Sequence, residues 1–207
     1  MEKKECVVIA NGEFPQRPEI LSLIDKQKML ICCDGAAEKV LDYAEPDYVV
    51  GDCDSISDAV RNRLGDRVIR IEEQDDNDLT KCMRFAQAQN VTDVVILGAT
   101  GRREDHTLGN ISLLTVYRTM FNRVQMVSDY GVFEPITRTT TFQSFPHQQI
   151  SIFALPPVPH ITLHGLLFPF ENQQPLIWWQ TSLNEAIGDS FTVELHETGN
   201  VIVYKLF

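Results

Sequence analysis

Apolar residues follow two different rhythms along this chain. Up to about residue 128, short β-branched runs recur: CVVIA (6–10), MLICC (29–33), YVV (48–50), VIRI (68–71), DVVIL (93–97) and RVQMV (123–127). Runs that are apolar at successive positions suit strands buried on both faces. Between them the spacing turns helical. In 77–89, Leu79, Cys82, Met83 and Ala86 stand at i, i+3, i+4 and i+7, one stripe of a helix. Leu108, Ile111, Leu114 and Thr115 repeat that pattern in 108–119, and a shorter helix is expected over 36–43. Strands alternating with helices predict βαβ units and a mostly parallel sheet, a Rossmann-like α/β domain.

Beyond residue 128 no helical spacing remains. Strands are predicted at 136–145, 149–155, 160–168, 175–182, 190–197 and 200–207. Pro156-Pro157, Asn172, Gly188-Asp189 and Gly199-Asn200 supply the turns between them. HITLHGL and SFTVELH alternate apolar with polar residues, as half-buried antiparallel strands do. Trp178 and Trp179 read as sheet core and rim. The expectation is an α/β domain over 1–130 and a small all-β sandwich domain over 131–207, with the boundary in SDYGVFEP.

Charge narrows the function. The 207 residues carry a formal net charge of −11, which argues against a nucleic-acid partner. Of the 18 Lys and Arg, 16 precede residue 128, so cations for handling phosphate lie in the first domain. No run approaches the ~20 apolar residues of a membrane span, and CVVIA is too short for an export signal's core of ~7–15. A cytoplasmic protein without a membrane partner is expected. The five cysteines, Cys6, Cys32, Cys33, Cys53 and Cys82, form no CxxC and read as small buried hydrophobes in a reducing compartment.

Ligands of open α/β sheets bind beyond the carboxyl ends of the strands. Those exits carry acids: Asp34-Gly35 after MLICC, Asp52-Cys53-Asp54 after YVV, and Gln74 through Asp78 beyond VIRI. DVVIL leads into Gly98-Ala99-Thr100-Gly101-Arg102-Arg103-Glu104-Asp105-His106. Carboxylates gathered without a counter-ion raise one another's pKa, whereas Mg²⁺ accepts oxygen ligands from one or two carboxylates plus phosphates. Arg102 and Arg103 can grip phosphate in bidentate fashion. Acids, a metal and arginines at one rim suggest phosphoryl or diphosphoryl transfer. Each acid also has a structural reading. Asp34 could cap helix 36–43, Asp75 or Asn77 could cap helix 77–89 with Asp78 in its first turn, and Asp105 could cap the helix through 108–119.

The ordered stretches CDGAA (33–37), PDYVVGDCDSI (46–56), QDDNDLTK (74–81) and GATGRREDHTLGN (98–110) resemble the thiamine pyrophosphokinase family. GLLFP (165–169) and SLNE (182–185) match more loosely. The resemblance implies transfer of diphosphate from ATP to thiamine with Mg²⁺, in a homodimer whose thiamine site lies between the α/β domain of one subunit and the β-sandwich of the other. It implies that Asp52, Asp54 and Asp78 hold Mg²⁺ and the ATP phosphates. Asp34 and Gly35 would face the phosphates from the neighbouring loop, and Arg102, Arg103 and Asp105 would serve ATP, with Asp105 also near the reacting hydroxyl. Gln74, Phe168 and Asn184 would bind thiamine. The chain departs from the family at Arg102, usually glycine, at Asn77, usually threonine, and at Leu183, usually serine.

Other functions fit parts of this pattern. A diphosphokinase for another ring-bearing alcohol, such as a pterin methanol, would use the same phosphate site. A metal-dependent phosphatase would use the first Asp of Asp52-Cys53-Asp54 as nucleophile. A non-catalytic nucleotide sensor would bind ATP without turnover.

Overall fold

The computed structural model describes residues 4–24 and 28–207. It divides into two compact units, Met1–Ile111 with Thr119–Asp129, and Ser112–Arg118 with Tyr130–Phe207.

The first unit alternates as the apolar runs predict: β1 (Glu5–Ile9), α1 (Pro18–Leu21), β2 (Met29–Cys33), α2 (Ala37–Leu41), β3 (Tyr48–Gly51) and α3 (Asp58–Leu64). β4 (Val68–Arg70), α4 (Asp78–Ala88), β5 (Asp93–Leu97), α5 (Glu104–Met120) and β6 (Arg123–Val127) follow. These six strands hydrogen-bond in the order β4-β3-β2-β1-β5-β6, each pair parallel. Val8 sits opposite Ile31 on one side and Ile96 on the other, and all three are fully buried.

Helix starts follow local chemistry. Pro18 opens α1, where its missing N–H costs nothing. Ser57 caps α3, and the Asn77 side chain caps α4 by accepting from Thr80 N at 2.8 Å. Asp34 caps no helix, and α5 already begins at Glu104, which places Asp105 in its first turn. The stripe Leu79, Cys82, Met83 and Ala86 is the buried face of α4. In α5, Ile111 and Leu114 are buried but Leu108 is exposed, so the buried stripe begins one turn later than its spacing predicts. All five cysteines are buried and free.

The second unit holds β7 (Gly131–Ile136), β8 (Thr140–Gln143), β9 (Gln149–Leu155), β10 (Ile161–His164), β11 (Phe170–Gln173), β12 (Asn184–Glu185), β13 (Ser190–Leu195) and β14 (Asn200–Leu206). Antiparallel pairing makes one layer of β12-β9-β14-β7 and another of β11-β10-β13-β8. Ile150, Ile152, Ile161, Phe191, Val193, Val201 and Val203 from both layers form its core, with Phe142 stacked on Phe191 at 5.2 Å. It is a sandwich.

Three predicted strands are corrected. The run 136–145 is split between the end of β7 and the whole of β8. The run 160–168 ends at His164 because Gly165 turns the chain at φ +75°. The run 175–182 is no strand; Trp178–Thr181 makes a single 3₁₀ turn. Its side chains meet the edge of β9 in place of a backbone ladder. Thr181 Oγ1 donates to Ile152 O at 2.7 Å and Trp178 Nε1 donates to Ala154 O at 3.0 Å. Trp178 leans on Phe153, while Trp179 is exposed.

Thr181→Val keeps the shape of this turn and removes its buried donor. Denaturant unfolding should show a loss of about 1–3 kcal/mol, the cost of an unsatisfied buried carbonyl; an unchanged midpoint would refute the role given to that hydroxyl.

Candidate active site

Strand order reverses between β1 and β5, since β2 lies on one side of β1 and β5 on the other. Crevices in parallel sheets open at such a point. Here Gly12 N donates to Gly98 O at 2.6 Å and Glu13 N to Thr100 O at 2.8 Å, tying the two strand exits together. A Cβ on Gly12 would lie 2.4 Å from Gly98 O, so only glycine permits this approach. Beside it opens a cleft of about 290 Å³, lined among others by Asn11, Asn77, Asp78, Arg102, Arg103, His106 and Asn110.

The exits of β2 and β3 carry the acids. Among the described residues, Asp34, Asp52 and Asp54 bring carboxylate oxygens within 4.8 Å of one another. Asp34 is only 4% exposed. Its Oδ1 accepts from Gly35 N at 2.6 Å and its Oδ2 from Cys53 N at 3.1 Å. Cys53 takes φ +65°, unusual for a residue with a side chain, and Arg61 Nη2 holds its carbonyl at 2.8 Å. This turn presents Asp52 and Asp54 on either side of an N–H that points at Asp34. Gln74 Nε2 reaches Asp52 Oδ2 at 3.3 Å, and Ser55 Oγ reaches Asp54 Oδ1 at 2.9 Å.

The cluster's electrostatics are uneven. Burial pushes the Asp34 carboxyl up, and the neighbouring charges of Asp78 and Asp52 add to this against the two backbone donors. Asp52 moves down, held first by the Asp54 N–H and then by Gln74. Asp78 lies outside the three-carboxylate group and lines the cleft instead. Lys81, 2% exposed on the buried side of α4, donates to Asp78 Oδ1 at 3.4 Å. Below, the Cys33 and Cys82 thiols meet at 3.5 Å, and burial drives the Cys82 pKa well up, which keeps that thiol neutral.

On the β5 exit, Arg102 adopts φ +61°, the conformation a glycine would take at that position. Its Nη1 donates to Asn11 O at 2.9 Å and to Asn11 Oδ1 at 3.0 Å. Arg103 grips Asp105 through Nε and Nη2, and the His106 N–H adds a third bond to that carboxylate. These contacts hold the Asp105 carboxyl below the usual carboxylate range, Arg103 first, and raise Arg103 further. Asn110 donates to Ala99 O at 2.8 Å and accepts from Asn77 Nδ2 at 3.3 Å, bracing the cleft wall.

Phe168 and Asn184 belong to the second unit. The Phe168 ring is exposed and Asn184 is buried, its amide bonded to the Phe168 backbone. The first unit thus brings together Asp34, Gly35, Asp52, Asp54 and Gln74 at the acid rim, and Asp78, Arg102 and Arg103 in the cleft. In sequence, Asn11 stands at the exit of the first strand and Asn110 and Lys81 stand within the family-like stretches, but none of the three has a role assigned from the sequence. Asn11 follows a strand as the acids do, but its importance depends on β5 lying beside β1, which no local pattern states.

Residues 20–127 match the family model described as thiamin pyrophosphokinase, catalytic domain, and residues 131–204 match thiamin pyrophosphokinase, substrate-binding domain. The chain belongs to the thiamin pyrophosphokinase family. It is 30% identical over 151 residues to thiamine pyrophosphokinase 1 of Oryza sativa subsp. japonica, covering 60% of this chain and 55% of that one. It is 30% identical over 116 residues to the Bacillus subtilis thiamine pyrophosphokinase, covering 54% of each. The chain spans about half the length of the curated relatives it matches. In fold it superposes on the crystal structure of the Bacillus subtilis thiamine pyrophosphokinase with a TM-score of 0.82 at 23% identity, over 98% of this chain and 99% of that one. The Candida albicans thiamin pyrophosphokinase gives 0.83 at 18% identity, over 99% and 90%.

The raised Asp34 carboxyl gives a signed prediction. Deprotonating it costs more in the folded than in the unfolded chain, so it lowers stability as pH rises from the ordinary ~3.9 through its folded value. In metal-free protein, the thermal midpoint of Asp34→Asn relative to wild type should therefore rise between pH 4 and pH 7. A difference that stays flat or falls would show that Asp34 is not held above its ordinary range.

Proposed function

We propose that the chain transfers the diphosphate group of ATP to the hydroxyl of thiamine, giving thiamine diphosphate and AMP. One observation carries this reading within the family: the acids of two strand exits converge beside a cleft that also holds Arg102 and Arg103. The first unit is the Rossmann-like, ATP-binding part in this reading, and the second supplies Phe168 to the thiamine ring. The same phosphate site would fit a pterin-type alcohol; family membership favours thiamine.

The donor set fits Mg²⁺. Asp34, Asp52 and Asp54 offer oxygen donors within 4.8 Å, and the Asp34 carboxyl is pushed up first by burial and then by the nearby Asp78 and Asp52. Asp52 and Asp54, with Asp34 beside them and Asp78 from the cleft, would hold the ion. When bound, it neutralises phosphate charge and relieves repulsion among the carboxylates.

The chain's own groups do the rest. Arg102 and Arg103 bind phosphate oxygens, and the glycine-rich exit of β5 lets the backbone approach them. The thiamine oxygen forms its bond to the β-phosphorus as the bond between that phosphorus and the oxygen bridging to the α-phosphate breaks, and AMP leaves with that oxygen. Arg103 keeps Asp105 ionised and oriented; a phosphate that draws Arg103 away leaves the carboxylate free to take the hydroxyl proton. Gln74 is braced on Asp52 and lies near the pyrimidine in this reading.

We further infer a cytoplasmic homodimer. The exposed Leu176, Ile177, Trp179 and Leu183 of the second unit are apolar enough to be covered by a partner. Five free cysteines suit a reducing compartment. Among the described residues no helix is long and apolar enough to cross a membrane.

A coupled assay of AMP release with thiamine and Mg-ATP tests the proposal. Asp54→Ala should lower turnover at least about 100-fold, the effect of a few kcal/mol on the barrier, with an unchanged circular dichroism spectrum. Wild-type activity in that variant would defeat the assignment. AMP release with a pterin alcohol but not thiamine would transfer the reading to the other acceptor, and ATP binding without any turnover would mark a sensor.

A further inference from the structure

We propose that Asn184 is a positioning residue for the acceptor: it fixes Phe168, and of these two residues only the Phe168 ring makes the contact. The inference deepens the thiamine reading above and rests on it for the identity of the ligand.

Asn184 is 3% exposed. Its backbone belongs to β12 and pairs with Ile150 of β9. Its carboxamide turns to the other side. Oδ1 accepts from Phe168 N at 3.0 Å and from Glu185 N at 2.8 Å, while Nδ2 donates to Phe168 O at 2.8 Å. Both lone pairs of the oxygen are occupied and one of two amide hydrogens is spent on the same residue. The oxygen could reach a ligand only by giving up bonds made in a buried position, where each orphaned group costs about 1–3 kcal/mol, and the remaining amide hydrogen sits on a residue only 3% exposed.

The geometry has a simple origin. The segment after β10 runs beside β12: Ile187 N donates to Gly165 O at 3.1 Å, Leu166 bridges Ala186, and Leu167 N donates to Glu185 O at 2.8 Å. At Phe168 the backbone ladder stops, and the Asn184 side chain supplies one more rung in the manner of a peptide group. Phe168 is therefore held at both its N–H and its C=O. The residue is 60% exposed, and its side chain stands on a fixed backbone. A rigid aromatic face binds a flat cationic ring with little ordering cost, since stacking and cation–π attraction are both available.

A double-mutant cycle separates positioning from contact. Phe168→Ala should raise KM for thiamine about 10-fold, the scale of an aromatic contact, with kcat and KM for ATP little changed. Asn184→Ala should raise KM for thiamine about 3–10-fold in the wild-type background and less than about 2-fold in Phe168→Ala, because the two act as one unit. Equal effects in both backgrounds would overturn the proposal, and so would a parallel rise in KM for ATP, the mark of a general structural defect. If Asn184→Ala does not fold, Asn184→Asp, which keeps the acceptor and loses the donor to Phe168 O, enters the same cycle. Amide hydrogen exchange at Phe168 reads the clamp without substrate and should quicken in the Asn184 variant; unchanged exchange would refute the positioning role. A wild-type chain that makes no thiamine diphosphate, yet shows the faster exchange, would defeat the ligand and leave the clamp.

Discussion

Like charges held together at the ends of parallel strands are the constraint around which the first unit is built. Asp34 is buried beside Asp52, with Asp78 near enough to raise it further. A carboxylate in that position is unfavourable unless its oxygens are met. The chain meets them with backbone, using the Gly35 and Cys53 N–H groups, and accepts a left-handed residue at Cys53 to aim the second. Local strain and repulsion of this kind persist where binding needs them.

Much of this arrangement was legible in the residues. β2, β5 and β6 coincide with their apolar runs, β3 and β4 differ by a residue at one end and β1 is shifted by one residue, because a strand buried on both faces must be apolar throughout. Asp52 and Asp54 could be found because acids directly after such a strand have nowhere to go but the rim. Other features were hidden for definite reasons. The stretch 175–182 has a strand's composition, yet its side chains, not its backbone, meet the edge of β9. Lys81 stands in a helical stripe whose neighbours are apolar, and only its 3.4 Å approach to Asp78 reveals a charge beneath the cleft. Asn184 reads as a polar residue open to a ligand until its hydrogen bonds are traced to Phe168.

Arg102 shows how a departure from a family pattern can be absorbed. The position keeps a positive φ, and the side chain that glycine lacks is laid onto Asn11. The loop thus carries a left-handed residue with a side chain, and its guanidinium lines the cleft. The second unit works differently. With only Arg138 and Lys205 as permanent cations beyond residue 128, its acids pair with histidines, as Glu194 does with His164 and Glu197 with His160.

Gly51 ends β3 directly against Asp34, and a Cβ there would stand 2.7 Å from the Asp34 Cγ. Two positions on neighbouring strand exits are therefore sterically coupled. A side chain at 51 would force the Asp34 carboxyl out of its place between the Gly35 and Cys53 N–H groups. Glycine at 51 and carboxylate at 34 thus form one spatial unit, in which the missing side chain of the first makes room for the second.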